Sequence, residues 1–150
     1  MREAIELAVR AVRRGMGGPF GALVVRKGKV VGRGWNRVTS ANDPTAHAEI
    51  VAIRAACRRL GAFRLGDCEL YASSEPCPMC LSAIYWARIP RVYCGGTHRD
   101  AARAGFDDER IGREVARPAR RRGIRMEPLL RAEALVAFAE WRRKSNKVPY

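Results

Sequence analysis

The residues best suited to chemistry in this sequence are a histidine–glutamate pair and a pair of cysteines. His47 and Glu49 are separated by one residue, and Cys77 and Cys80 stand three positions apart later in the chain. Cysteines at this spacing share one side of a helix start, where backbone N–H groups favour the thiolate form that binds metals. One imidazole and two thiolates neutralise Zn²⁺ and leave its fourth coordination position for water. The pattern therefore predicts a hydrolytic zinc site.

Glu49 is the member of this group that would move protons. A carboxylate in the first helical turn after His47 is able to take a proton from a metal-activated water and deliver it to a leaving amine. A competing interpretation makes Glu49 an ordinary acid at a helix start and the cysteines a structural zinc knuckle. A zinc-stabilised nucleic-acid-binding module of that kind needs a fourth protein ligand. No well-placed His or Cys follows the pattern.

Alternating helical and extended patterns predict the elements that position these residues. Helical spacing of apolar residues covers 4–12, 44–60, 77–88 and 129–141, and β-rich runs cover 20–26, 30–35, 68–73 and 91–95, with an edge strand near 124–126. The polar residues 36–46 predict a loop. Strands that alternate with helices form a sheet covered on both faces. We expect one α/β domain over 1–150, with a central mixed five-stranded sheet and a C-terminal helical extension.

The composition is that of a globular domain with a large excess of arginine. The 150 residues carry a formal net charge of +14, and the basic residues are spread along the chain apart from one dense run, Arg117 to Arg125. An evenly spread excess bears on solubility and association, so we disfavour nucleic acid as a partner and assign the run no role. No apolar stretch reaches the ~20 residues that span a bilayer, and the first residues do not have the pattern of a secretory signal, so we expect neither feature. We therefore expect a cytoplasmic protein that does not bind membranes.

Cysteine usage also favours metal binding over disulfides. Five cysteines, an odd number, occur in a chain without a secretion signal. Cys94 precedes His98 by four residues, a spacing that a second metal site could use. We instead expect Cys94 to be a buried thiol at a strand end.

Five further segments extend the pattern beyond the metal motif and carry a family resemblance. They are 17–25 (GGPFGALVV), 42–50 (NDPTAHAEI), 75–88 (EPCPMCLSAIYWAR), 100–111 (DAARAGFDDERI) and a terminal Trp141…Asn146-Lys147…Tyr150 pattern. With these segments the chain resembles the cytidine deaminase-like superfamily and, within it, the small bacterial guanine deaminases. The His-x-Glu and Pro-Cys-x-x-Cys elements are common to zinc deaminases that act on nucleobases. GFDDE and the terminal tyrosine are more specific to the guanine branch.

The resemblance implies a three-layer α/β/α fold with one catalytic zinc per subunit, which converts guanine to xanthine and ammonia. It implies zinc ligands His47, Cys77 and Cys80, a proton shuttle Glu49, a second catalytic carboxylate Asp108, and substrate contacts from Phe20, Asn36, Ala48, Asp108 and Tyr150. In this family the terminal tyrosine often closes the site of the partner subunit in a domain-swapped homodimer. We therefore expect a homodimer, and the exchange of about residues 129–150 between subunits stays open.

Related substrates remain as alternatives to guanine at this point. Guanosine, ammeline and cytosine offer similar amidine groups to a zinc deaminase. A tRNA adenosine deaminase shares the metal motif and would benefit from the positive charge, because it must hold the phosphates of an RNA loop. The GFDDERIG segment and a terminal tyrosine that closes the pocket argue against a polymer substrate.

Overall fold

Four strands form the central sheet of the computed structural model, which describes residues 1–150. β1 (Gly21–Arg26) and β2 (Lys29–Trp35) make an antiparallel hairpin. Its two-residue turn, Lys27 and Gly28, has positive φ at both positions, which suits the twist of paired strands. β3 (Cys68–Ser74) pairs antiparallel with β1, and β4 (Arg91–Gly96) pairs parallel with β3. The sheet is therefore mixed, in the order β2-β1-β3-β4.

The predicted fifth strand is absent, so the expectation of five strands was wrong. Ile124 and Met126 are 79% and 61% exposed and lie in a segment without regular structure. Within this chain β4 is therefore an edge strand with β3 as its single neighbour. The same edge position explains why Cys94, which we expected to be buried, is exposed.

One face of the sheet is covered by α1 (Arg2–Arg13). Ala4 and Leu7 of this helix are buried against Leu23 of β1. The helix lies very close to the strand, because a Cβ atom built on Gly21 would stand 2.1 Å from the carbonyl oxygen of Ala4. The first helix forms where the sequence predicts it, but its predicted apolar stripe is not the buried face. Ile5, Val9 and Val12 are 44%, 42% and 50% exposed, and the helix packs instead through Ala4, Leu7, Ala8 and Ala11.

The other face is covered by α3 (Ala48–Leu60) and α4 (Pro78–Trp86), which completes the three layers. Small side chains on α3 meet small residues on β2, and a Cβ on Gly34 would stand 2.0 Å from the carbonyl oxygen of Ala48. The main core lies between these layers and includes Val24, Leu70 and Ile84. Ala48 at the start of α3 belongs to this core, and Cys77 and Cys80 at the start of α4 pack against Ile50 of α3.

Short helices connect the core to the C-terminal region. α2 (Val38–Ala41) lies in the predicted loop, and α5 (His98–Arg103) and α6 (Asp108–Ala116) follow β4. A 3₁₀ turn (Ala119–Arg121) and α7 (Arg131–Arg143) complete the chain, and α7 has no buried residue.

None of the helices combines the length and the apolar character that a membrane span requires.

Part of the arginine run has a structural role that the sequence did not suggest. The Arg122 guanidinium donates hydrogen bonds to the carbonyl oxygens of Val115 and Arg117 at the end of α6. Glu114 pairs with Arg117 and accepts a hydrogen bond from the backbone N–H of Gly123. These contacts fold the chain back after α6, because they satisfy carbonyl groups that a helix end leaves free.

Candidate active site

Two helix starts bring the predicted metal ligands together. His47 is the N-cap residue of α3 and Cys77 is the N-cap residue of α4, and both have extended backbone conformations. Neither side chain caps its own helix, so both are free to face each other. Pro78 occupies the first position of α4, where its missing N–H costs no hydrogen bond. Cys80 follows one turn into α4 and is fully buried.

The three ligand atoms have the spacing of a tetrahedral metal site. Nδ1 of His47 lies 3.5 Å from Sγ of Cys77 and 3.6 Å from Sγ of Cys80. All three atoms lie within 4.8 Å of one another. Tetrahedral Zn–N and Zn–S bonds of about 2.0 and about 2.3 Å place nitrogen and sulfur about 3.5 Å apart. The residues therefore fit zinc, with one imidazole and two sulfur ligands.

The two neighbouring thiols differ in acidity. Interaction with Cys80 lowers the pKa of Cys77 to about 4, with a further contribution from the His47 ring. The same interaction with Cys77, together with burial and the nearby Glu49 carboxylate, raises the pKa of Cys80. Cys77 is therefore ready to bind a cation as a thiolate, whereas Cys80 must release a proton when the metal binds.

Glu49 lies beside the ligand triad and is buried. Its Oε2 atom accepts a hydrogen bond from the Cys80 thiol at 3.5 Å, and the residue is 6% exposed. Burial raises the pKa of Glu49, and the negative charge of Cys77 acts in the same direction. A carboxylate with a raised pKa accepts a proton more readily than an exposed one does, as a proton shuttle must. The placement of Glu49 in the first turn of α3 agrees with the interpretation of His-x-Glu.

A cavity of about 500 Å³ opens in front of the triad. Phe20 and Phe106 form one wall, with ring centroids 4.7 Å apart in an edge-to-face arrangement. Gly18 lies under this wall, and a Cβ there would touch the Phe106 ring at 3.5 Å. The cavity is large enough for a purine base, and an aromatic wall provides an apolar surface for its ring.

Asn36 lines the cavity with an amide whose orientation is fixed by the backbone. Its Oδ1 atom accepts hydrogen bonds from the N–H groups of Gly18 and Val38, at 3.3 and 3.2 Å. With the oxygen occupied, the Nδ2 group is the atom that Asn36 can offer to a ligand. Asn36 therefore presents a hydrogen-bond donor to the cavity.

Two further carboxyl groups line the same cavity. Asp108 begins α6 and is half-buried. Burial raises the pKa of Asp108, with the charge of Cys77 acting in the same direction and His98 acting against it. Glu75 precedes the Pro-Cys motif and accepts a hydrogen bond from the backbone N–H of His98 at 2.7 Å. The cavity lining therefore combines two carboxyl groups with the amide donor of Asn36.

Two of the predicted substrate contacts lie outside the cavity of this chain. Ala48 is fully buried at the start of α3. Tyr150 is 72% exposed, and its ring lies 5.8 Å from the ring of Trp86 at the end of α4. Phe106 and Glu75 were not among the predicted site residues although both line the cavity. Their positions within GFDDE and directly before Pro-Cys were the available signals.

The comparison with protein families agrees with this geometry. Residues 1–96 match the family model described as "Cytidine and deoxycytidylate deaminase zinc-binding region". This match covers β1 to β4 and all three predicted metal ligands. The chain belongs to the cytidine and deoxycytidylate deaminase family of zinc-binding proteins.

Relatives within the family extend the similarity over the whole chain. The chain is 51% identical to guanine deaminase of Bacillus subtilis over all of its length and 96% of that protein. The crystal structure of guanine deaminase from the same organism matches with a TM-score of 0.95, over 99% of this chain and 95% of that one. Guanine deaminase from Nitrosomonas europaea matches at 30% identity and a TM-score of 0.68, over 90% and 69%. A tRNA-specific adenosine deaminase of Haemophilus influenzae is 34% identical over 99% of this chain and 86% of that protein.

Proposed function

We propose that this protein catalyses the zinc-dependent hydrolysis of guanine to xanthine and ammonia. The observation that carries the proposal is the 51% identity to a guanine deaminase through the full chain, including the Phe106–Asp108 segment that lines the cavity. The balanced reaction adds one water to C2 of guanine. The oxygen of water becomes the C2 carbonyl oxygen, the bond from C2 to the exocyclic nitrogen breaks, and that nitrogen leaves as ammonia.

His47 Nδ1, Cys77 Sγ and Cys80 Sγ would hold the zinc ion. When bound, zinc supplies Lewis acidity for the attack of water on the amidine carbon. Glu49 accepts one proton from water and delivers it to the ring nitrogen beside C2 as the C2–O bond forms. It then accepts the second proton, from the C2 hydroxyl of the adduct, and delivers it to the exocyclic amine as that group leaves. Burial raises the pKa of Glu49, and this makes its carboxylate a stronger proton acceptor than an exposed one.

The polar lining of the cavity fits guanine in one orientation. Asn36 Nδ2 donates to the O6 and N7 edge of the base, where guanine carries acceptors. Asp108 accepts from N–H groups on the opposite, amidine edge and is the second catalytic carboxylate of the proposal. Adenine and cytosine lack this combination, so they leave buried polar groups unpaired, which is costly. The wall of Phe20 and Phe106 supports the ring face.

The second candidate substrate is a tRNA adenosine, which the sequence similarity and the net charge favour. The 34% identity to a tRNA-specific adenosine deaminase extends over nearly the whole chain, and the net charge of +14 suits a polyanion. The higher identity to guanine deaminase and the Asp108-bearing α6 support the nucleobase instead.

We further propose that residues 1–150 form one deaminase domain whose segment 129–150 is exchanged within a homodimer. On α7, Leu135 and Phe138 share one side of the helix and are 43% and 64% exposed, so this apolar side is not covered within its own chain. Val9 and Val12 on the outer side of α1 are likewise half exposed. Tyr150 lies outside the cavity of its own chain, which supports a role at the site of the partner.

A substrate panel tests the proposed reaction. The zinc-loaded protein is incubated separately with guanine, guanosine, cytosine, adenine, ammeline and tRNA, and ammonia release is measured. We expect guanine to be turned over with the highest kcat/KM and tRNA to give no inosine. Preferred turnover of tRNA adenosine would overturn the proposal in favour of the second candidate, and preferred turnover of another small amidine would correct the substrate.

A further inference from the structure

The ends of two parallel strands are tied together beside the candidate active site. β3 and β4 end in register, with Ser74 opposite Gly96. The N–H of Glu75 donates to the carbonyl oxygen of Gly96 at 2.9 Å, and the N–H of His98 donates to Oε2 of Glu75 at 2.7 Å. A third bond joins Nε2 of His98 to the carbonyl oxygen of Pro76 at 3.2 Å. The turn that leads into Cys77 is therefore linked to the start of α5.

The His98 side chain has a defined chemical state in this link. A carbonyl oxygen can only accept, so Nε2 of His98 must carry a proton and donate it. This hydrogen bond fixes the imidazole ring of His98 against the backbone of Pro76. Cys94, which precedes His98 by four residues in the sequence, is exposed on the edge strand β4. The Cys-x-x-x-His spacing is therefore better explained by this backbone contact than by a second metal site.

The chain leads directly from His98 to the cavity. α5 has six residues, and a helix this short depends on contacts at its ends for its stability. It is followed by Gly105, which has φ +90°, and by Phe106, whose N–H donates to the carbonyl oxygen of Ala101 at 3.1 Å. Asp108 is the first residue of α6. The position of Asp108 relative to Cys77 is therefore set partly by how firmly α5 is held.

We propose that His98 is a positioning residue that fixes α5 to the turn before Cys77 and thereby holds Asp108 in the cavity. His98 itself does not touch the substrate in this account. The carboxylate of Glu75 assists, because it accepts the free N–H at the start of α5. The inference rests on the proposed function where activity is the measurement.

Substitutions at one site separate the hydrogen bond from the volume of the ring. His98→Phe keeps the ring volume and removes the donor, whereas His98→Gln retains an N–H donor at a similar distance from the backbone. Arg99→Gln on the same helix is the matched control, because Arg99 is exposed and adjacent. We expect His98→Phe to lower kcat/KM for guanine by about tenfold to a hundredfold with unchanged zinc content. His98→Gln should retain most of the parent kcat/KM, and Arg99→Gln should have the same kcat/KM as the parent protein.

Combining the change with Asp108→Asn tests whether His98 acts through Asp108. In the Asp108→Asn background, His98→Phe should lower kcat/KM for guanine by less than about threefold, because the carboxylate that His98 positions is already removed. The same fold loss in both backgrounds would overturn the proposal. So would equal losses for His98→Phe and His98→Gln.

A measurement without substrate keeps this inference separate from the proposed function. In the zinc-loaded protein, hydrogen exchange of the amides of residues 104–110 should be faster in His98→Phe than in the parent, with α1 unchanged. Unchanged exchange at residues 104–110 would overturn the positioning role. If the parent protein does not deaminate guanine, the proposed function fails, and the exchange measurement alone decides the role of His98.

Discussion

At the scale of single residues, Asn36 shows how the backbone decides what a side chain can recognise. An amide could present either its oxygen or its nitrogen to a ligand. Two N–H groups, from Gly18 and Val38, occupy the oxygen and leave the nitrogen for the cavity. Gly17 makes this arrangement possible, because a Cβ there would stand 1.9 Å from the carbonyl oxygen of Asn36. The loop before β1 and the start of α2 therefore fix which end of the Asn36 amide faces the cavity.

Asn36→Asp separates the hydrogen-bond acceptor of this side chain from its donor. The carboxylate can still accept from Gly18 and Val38, but it cannot donate to O6 or N7 of guanine. We expect kcat/KM for guanine to fall by about a hundredfold or more, because a buried acceptor loses its partner and meets a negative charge. Steady-state kinetics would measure the change, and a thermal melt would check that the fold is retained. Activity close to that of the parent protein would show that Asn36 does not face the base as a donor.

The residues that sequence could identify are those whose partners are close in the chain. His47 with Glu49, and Cys77 with Cys80, are local patterns at helix starts, and the structure brings all four side chains together. Glu75 and Phe106 could not be assigned roles in the same way. Their places in the cavity depend on the parallel pairing of β3 with β4 and on the turn before α6.

At the scale of elements, the metal ligands depend on how closely α3 approaches the sheet. Glycines on β2 allow this contact: Cβ atoms on Gly32 and Gly34 would stand 2.2 and 2.0 Å from carbonyl oxygens of α3. His47 and Glu49 lie at the end of the helix that is nearest Gly34. The sequence predicted the strand and the helix from their periodicity, but the close approach depends on which residues face each other.

Gly34→Ala should therefore affect both stability and the site. The added methyl group meets backbone atoms, which cannot move aside as a flexible side chain could, so we expect a loss of about 1–3 kcal/mol in the free energy of unfolding. Displacement of α3 should also weaken zinc retention during dialysis against a chelator. Gly66→Ala is the matched control, because the nearest atom to a Cβ there is 3.8 Å away. Equal stability and zinc retention in the two variants would contradict this account of the packing.

At the scale of the whole molecule, the C-terminal region is where prediction from sequence was least successful. The last helix was predicted at 129–141 and lies at Arg131–Arg143, but the fifth strand was not found. A strand forms only where a neighbour supplies hydrogen bonds, and residues 124–126 have no such neighbour within their own chain. Local periodicity cannot tell whether a segment packs on its own domain or on a second copy.

Complementation between two inactive chains tests the proposed exchange of the C-terminal segment. A chain with Glu49→Gln and a chain without Tyr150 are co-expressed with different tags, and the mixed dimer is purified. If Tyr150 completes the site of the partner, one of the two sites in the mixed dimer has both residues and turns over guanine. Each homodimer alone should be nearly inactive. A mixed dimer as inactive as both homodimers would contradict the exchange and indicate that Tyr150 acts within its own chain.

The central claim is that a zinc ion held by His47, Cys77 and Cys80 and a proton shuttle at Glu49 together deaminate guanine. The most direct measurement follows xanthine formation from guanine as zinc is added back to metal-free protein, in parallel for the parent and for Glu49→Gln. We expect the parent activity to rise in proportion to bound zinc up to one ion per chain. Glu49→Gln should bind the same zinc and lose activity by about a thousandfold. Xanthine formation by metal-free protein, or near-normal turnover by zinc-loaded Glu49→Gln, would contradict the account.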